Sequence, residues 1–180
     1  MEIISTSIQD LIIIKPKVFE DNRGYFSETF RKDFWEKEEQ PYTFLQDNEA
    51  KSDKNVLRGL HYQTGEFAQA KLVRVITGSV YDVVVDLRDD SPDYGKWFGI
   101  ELSASNRFQL FVPRGFAHGY YVLEDNTIFS YKCDNYYHRE AEGGIHFADP
   151  NLAIDWPFQN SEPIVSEKDH RLPYLGEHLT

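Results

Sequence analysis

The chain has 180 residues, 41% of them apolar and 15% aromatic, which is enough for one hydrophobic core and shows no low-complexity bias. A formal net charge of -11 argues against binding long nucleic acid, whose affinity rests on phosphate neutralisation. Cys133 is the single cysteine, so an intrachain disulfide is excluded, and the longest apolar run near the N-terminus (11–14) is far too short for a signal peptide or a membrane span; the expected compartment is the cytoplasm.

In chain order, strands are expected at 11–19 and 25–30, separated by the turn signal Asn22-Arg23-Gly24. A helix follows over 31–40, acidic toward its end and stopped by Pro41. Strands at 44–48 and 56–62 come next, then 71–76 and 80–87, which flank Thr77-Gly78-Ser79 and read as a hairpin. In the second of these Tyr81, Val83, Val85 and Leu87 share one face, while Asp82, Val84 and Asp86 share the other. The series closes with 97–103, 108–112, 119–123 and 127–133, punctuated by Ser91-Pro92-Asp93, Pro113-Arg114-Gly115 and Glu124-Asp125-Asn126. A tail after Asp149, broken by prolines, is expected to wrap the outside, with a short helix beginning at Ser166 and Asp169 three residues on, a capping arrangement. Many short strands with regular turns predict an all-β sandwich or barrel with a few short helices, a single domain over 1–180.

Residues 51–74 carry five basic side chains (Lys51, Lys54, Arg58, Lys71, Arg74) against Asp53 and Glu66, a net +3 within an acidic protein. Such a patch suits a small anionic ligand, although on composition alone ordinary surface charge is the better reading. His61, His118, His138 and His146 fall among the strands, where a histidine serves structure more often than chemistry. A metal site on a fold of this kind needs His-X-His, but Gln63 stands two residues after His61 and no cysteine cluster exists, so metal is not expected. Gly-X-Ser-X-Gly, the phosphate loop and the dinucleotide fingerprint are all missing. What remains is cofactor-free proton transfer by His, Tyr, Lys and Asp. Strand parity puts Arg58 and His61 on opposite faces of a regular strand; either only one of the two faces the pocket, or the strand is irregular between them, and Gly59 is where a bulge is tolerated.

Several segments together carry a resemblance: Asp21-Asn22-Arg23-Gly24-Tyr25-Phe26-Ser27-Glu28, Gln46-Asp47-Asn48, Val56-Leu57-Arg58-Gly59-Leu60-His61-Tyr62-Gln63, Ala70-Lys71-Leu72-Val73-Arg74-Val75, Val112-Pro113-Arg114-Gly115-Phe116-Ala117-His118-Gly119, Tyr131-Lys132, Ile154-Asp155-Trp156-Pro157 and Ser166-Glu167-Lys168-Asp169. In this order and spacing, nearly end to end, the chain resembles the dTDP-4-dehydrorhamnose 3,5-epimerase family. The resemblance implies a cupin-type jelly roll, a homodimer without metal or other cofactor, and a dTDP-4-keto-6-deoxyhexose as substrate. By matching position it makes His61 the general base, Asp169 the carboxylate that orients it, Lys71 the group near the C4 oxygen and Tyr131 the general acid. It assigns Arg58 to the diphosphate and sugar, His118, Glu142 and Lys168 to further substrate contacts, Gln46, Asp47 and Asn48 to the nucleotide, and Tyr137 to stacking on thymine. Arg23 and Glu28 match groups that reach across from the dimer partner. Ala50 stands where the family often has Ser, and Thr64-Gly65-Glu66-Phe67 replaces a stretch richer in proline.

Two relatives of that reading stay open: an epimerase of C3 or C5 alone, and a non-catalytic cupin that binds sugar nucleotides. A 3,4-ketoisomerase on the same fold would carry a second histidine where Gln63 stands. The joint presence of His61, Lys71, Tyr131 and Asp169 speaks against a binding module, which has no need for an acid–base set.

Overall fold

Pro16 has no N–H to give a ladder, and the first expected strand divides around it into β2 (Ile12–Lys15) and β3 (Val18–Asp21). A short strand, β1 (Glu2–Ser5), precedes them and was not expected. The computed structural model describes residues 1–37, 42–159 and 161–178. Along the chain follow β4 (Gly24–Ser27), helix α1 (Lys32–Lys37), β5 (Gln46–Ser52), β6 (Leu57–Gln63), β7 (Lys71–Thr77), β8 (Ser79–Asp86), β9 (Trp97–Ser103), β10 (Gln109–Val112), β11 (Phe116–Val122), β12 (Thr127–Cys133) and the unexpected β13 (Glu142–Gly144). The expected helix over 31–40 is seen as Lys32–Lys37; its remainder and Pro41 lie outside the described residues.

The six-stranded sheet has the order β1-β2-β10-β7-β12-β5, and the five-stranded sheet the order β13-β6-β11-β8-β9. From β5 to β8 and from β9 to β13 each successive strand changes sheet, so neighbours in sequence face each other across the core, the jelly-roll pattern of a sandwich. This corrects the hairpin expected at Thr77-Gly78-Ser79. β7 pairs with β10 and β12, whereas β8 pairs with β11 and β9. Gly78, at φ +77°, turns the chain from one sheet to the other, and a Cβ there would run into the Thr127 side chain.

Period-two alternation divides each strand between two environments. Val73, Val75, Leu110, Val112 and Phe129 from one sheet meet Val80, Val84, Tyr120 and Val122 from the other between the layers. The opposite face of β8, with Val83 and Val85, is covered by Ile145, Phe147, Leu152 and Trp156 from the chain after β12, which accounts for a strand buried on both sides. Trp35 of α1 packs on Phe111 and Leu72 on the outer face of the six-stranded sheet. Each fully buried Val, Leu or Phe is worth about 1.5–3 kcal/mol, so the packed layers hold in place the strands that line the cleft described below. Among the described residues no helix is long and apolar enough to cross a membrane.

Candidate active site

β6 is irregular between Arg58 and His61, the alternative in which both face one pocket. Against β11, His61 pairs with His118 and Arg58 with Tyr120, so three steps on β6 oppose two on β11. Gly59 sits at the irregularity with φ +119°, and a Cβ there would lie 2.6 Å from Gly119 Cα and 2.8 Å from the His118 carbonyl. The Gly59–Leu60 peptide is cis. Through the register shift against β11, Arg58 and His61 line the same cleft, of about 550 Å³, together with Lys71, His118, Tyr131, Lys168 and Asp169.

His61 faces a carboxylate delivered by the tail. Its Nε2 lies 2.7 Å from Asp169 Oδ1, while the second oxygen of Asp169 accepts the Gly59 N–H at 3.2 Å. Ser166 Oγ accepts the Asp169 N–H at 3.1 Å just ahead of the 3-10 turn Asp169–Arg171, whose cap position is Lys168 without a side-chain cap bond; the reciprocal capping arrangement expected from Ser166 and Asp169 is not formed, because the Asp169 carboxylate turns to His61 and the Gly59 amide. Burial pushes the Asp169 carboxyl up, but the hydrogen bond and charge of His61, the Gly59 amide and the Ser166 hydroxyl outweigh it, and the group lies below the ordinary carboxylate range. Asp169 is therefore ionised at neutral pH and selects the His61 tautomer with hydrogen on Nε2, leaving Nδ1 to accept a proton.

Lys71, at the start of β7, and Tyr131, on the adjacent β12, bring two proton donors from the six-stranded sheet. The Lys71 ammonium contacts the His61 carbonyl at 3.5 Å and no carboxylate pairs with it among the described residues. Burial pushes its pKa down, with Cys133, Asp82 and Glu142 pulling it partly back. Burial also pushes the Tyr131 phenol up, helped by Cys133 and opposed by Arg58.

Beside them His118 Nε2 lies 3.0 Å from Asp82 Oδ2, both side chains buried. Burial raises the Asp82 carboxyl against the pull of His118 and Lys71. Arg58 is held by Nε and Nη2 on Ser52 Oγ, each at 3.1 Å, and among the described residues no carboxylate neutralises it. A guanidinium left uncompensated at the mouth of a cleft is suited to an anion.

A second depression adjoins the first and is lined by Gln46, Asn48, Tyr137 and Glu142, sharing His61, Lys71 and Tyr131 with it. The Tyr137 phenol donates to Glu142 at 2.9 Å, and Glu142 also takes a close ion pair from Lys168, so the last two join the two depressions. Three expected residues lie elsewhere. Asp47 points to the other face of β5, where Lys132 Nζ sits at 2.8 Å. Arg23 is paired with Asp21 in the β3–β4 turn, and Glu28 lies 3.9 Å from Arg31. Reasoning from sequence did not assign Asp82 to the site; an aspartate within the Val-rich run of β8 was the available signal. Among the described residues no group of three or more His, Cys, Asp or Glu side chains converges as a metal site.

A histidine oriented by a carboxylate, facing a lysine and a phenol across a cleft, can take a proton on one side, hold an oxyanion and return a proton on the other. The comparisons bear on what is bound there. A family model described as dTDP-4-dehydrorhamnose 3,5-epimerase matches residues 5–177. A relative of that name from Escherichia coli (strain K12) is 52% identical over 178 residues, covering 98% of this chain and 96% of its own. The crystal structure of a dTDP-4-dehydrorhamnose 3,5-epimerase from Elizabethkingia anophelis superposes with a TM-score of 0.94 at 49% identity, covering 98% of this chain and 97% of that one. A dTDP-6-deoxy-D-glucose-3,5-epimerase from Legionella pneumophila, solved in complex with dTDP-4-keto-L-rhamnose, gives 0.91 at 47%, covering 96% and 92%.

Proposed function

The chain belongs to the dTDP-4-dehydrorhamnose 3,5-epimerase family, and we propose that it is a cytoplasmic enzyme of dTDP-L-rhamnose biosynthesis that inverts C3 and C5 of dTDP-4-dehydro-6-deoxy-D-glucose to give dTDP-4-dehydro-L-rhamnose. Both carbons flank the C4 ketone. A proton lost from either leaves its electron pair shared with the C4 oxygen as an enolate. His61 takes that proton, and Asp169 holds the ring and stabilises the imidazolium. Lys71 donates to the C4 oxygen, where a fixed donor counts most as negative charge develops. Tyr131 returns a proton to the opposite face, and exchange with water restores the phenol and the imidazole. The carbon ends at its starting oxidation state, so the reaction needs no redox cofactor.

The observation that carries this reading is the placement of His61, with Asp169 at 2.7 Å, on one sheet and of Tyr131 on the other, both lining one cleft. In it Arg58, His118 and Lys168 take the diphosphate and sugar, and the thymine lies on the exposed Tyr137 ring beside Gln46, Asn48 and Glu142. A second copy of the chain supplies Arg23 and Glu28. In support, these lie away from the cleft of their own chain, and the β3–β4 hairpin that carries Arg23 exposes Phe19, Tyr25 and Phe26 at 53%, 60% and 68%. Sedimentation at low concentration tests the dimer; a monomer under turnover conditions would refute it. For the chemistry, the substrate is incubated in deuterated water. Deuterium entering at both C3 and C5 supports the 3,5-epimerase, entry at one carbon marks a mono-epimerase, and no entry removes epimerisation altogether.

A further inference from the structure

Tyr137 is presented by a segment, 135–138, that belongs to no strand, yet its backbone is held at every step by side-chain amides. Gln46 Oε1 accepts the Tyr137 N–H at 3.2 Å, and Gln63 Oε1 accepts the His138 N–H at 2.8 Å. Gln69 Nε2 donates to the Asn135 carbonyl at 2.7 Å. Asn135 accepts the Tyr136 N–H at 2.9 Å and donates to the Glu66 carbonyl at 2.9 Å. The His138 ring stacks on Phe67 with centroids 4.0 Å apart and planes 13° apart. By contrast the Tyr137 ring stays 52% exposed.

Gln63 is the inner anchor of this arrangement. It is 6% exposed and follows His61 by two positions on β6. Its partner is a backbone N–H, so its oxygen must point there whatever else its amide does. We propose that Gln63, with Gln69 from the far side, is a positioning residue for the nucleotide base: it fixes the 135–138 backbone so that the Tyr137 ring stands ready before ligand arrives. This rests on the reading of Tyr137 as the thymine-stacking surface. A ring on a loop that must first be ordered binds more weakly, because ordering opposes association; a preset loop avoids that loss. The anchors also sit on or beside β5, β6 and β7, so the seat of the base is tied to the strands that carry His61 and Lys71.

The test measures dTDP affinity by calorimetry, together with KM and kcat, for Gln63→Leu, Gln69→Leu, Tyr137→Ala and the double variant Gln63→Leu/Tyr137→Ala. Gln63→Leu is expected to raise the dTDP Kd and the substrate KM about tenfold while kcat moves less than about threefold. In the Tyr137→Ala background the same change is expected to cost less than about twofold, because the ring through which Gln63 acts is gone. An equal loss in both backgrounds, or a loss confined to kcat, would overturn the proposal. Gln69→Leu attacks the same segment from its other end and decides the matter if Gln63→Leu does not fold. Should Tyr137→Ala leave dTDP affinity intact, the stacking reading falls and the positioning role with it. Should Tyr137→Ala weaken dTDP while both glutamine variants bind normally, only the positioning role falls.

Discussion

His61 Nε2 and Asp169 Oδ1 meet at 2.7 Å across 108 positions of sequence, one on a sheet strand and the other on a 3-10 turn of the tail. With the carboxylate ionised, the ring keeps its hydrogen on Nε2 and gains stabilisation when Nδ1 takes a proton. Asp169→Asn preserves the shape but offers an amide that can pair with the wrong tautomer. Its kcat for deuterium exchange at C3 and C5 is expected to fall by about 10²–10⁴-fold, with dTDP affinity within about threefold of the parent. A variant that exchanges at the parental rate would remove the pair from the mechanism.

The same pair makes a contribution to acid stability whose sign is determined. The folded Asp169 carboxyl lies below its ordinary 3.8. A depressed carboxylate stabilises the fold above the unfolded value, and that stabilisation is lost as pH falls through the folded one. Asp82 shifts upward and contributes with the opposite sign, so only a difference between variants isolates Asp169. Urea unfolding from pH 6 down to pH 3 is expected to show the parent losing stability below about pH 4 more steeply than Asp169→Asn. Parallel curves would contradict the assignment.

The part of the fold governed by local alternation was legible in the sequence. The two faces of β8 follow the division read from it, with Val83 and Val85 toward the tail and Val84 toward the inner core. Gly78 was misread because a glycine reversal is the same local signal whether the next strand joins its neighbour or crosses to the facing sheet; partner choice is a long-range property. β13 escaped because Glu142-Gly143-Gly144 has no strand-favouring side chain, and pairing with β6 alone makes it a strand. At the site, parity left the irregularity at Gly59 as one of two alternatives. The pairs Asp169–His61 and Asp82–His118 were not derivable from periodicity, since each joins elements whose approach is decided only by the finished sandwich; the resemblance supplied the first and nothing supplied the second.

Gly59 concentrates two demands in one residue, a positive φ and contact with the backbone of β11. Neither obstructing atom, Gly119 Cα nor the His118 carbonyl, belongs to a flexible side chain that can move aside. Gly59→Ala is therefore expected to destabilise the fold by about 3 kcal/mol or more and to displace Arg58 and His61 from their shared cleft. Chemical denaturation reads the first effect, and deuterium exchange per folded molecule reads the second. A stable, fully active alanine variant would show that the strand accommodates a side chain there.

Lys71 and Tyr131 are both donors in the proposed reaction, and burial moves them in opposite directions: the ammonium below its ordinary 10.5 and the phenol above its ordinary 10.0. As pH rises, loss of the Lys71 proton removes the charge that stabilises the enolate oxygen. The alkaline limb of kcat is expected to fall below pH 10.5 and to belong to Lys71. Two variants separate the assignments. Tyr131→Phe lowers the rate of protonation at the far face but leaves the alkaline limb of residual proton abstraction where it was. Lys71→Met, which has no proton to lose, lowers exchange by about 10²–10³-fold and flattens that limb. The profile is measured as initial exchange rate against pH, with circular dichroism confirming the fold at each point. A limb that shifts in Tyr131→Phe and survives in Lys71→Met would reverse the roles, making the phenol the group whose ionisation limits the reaction.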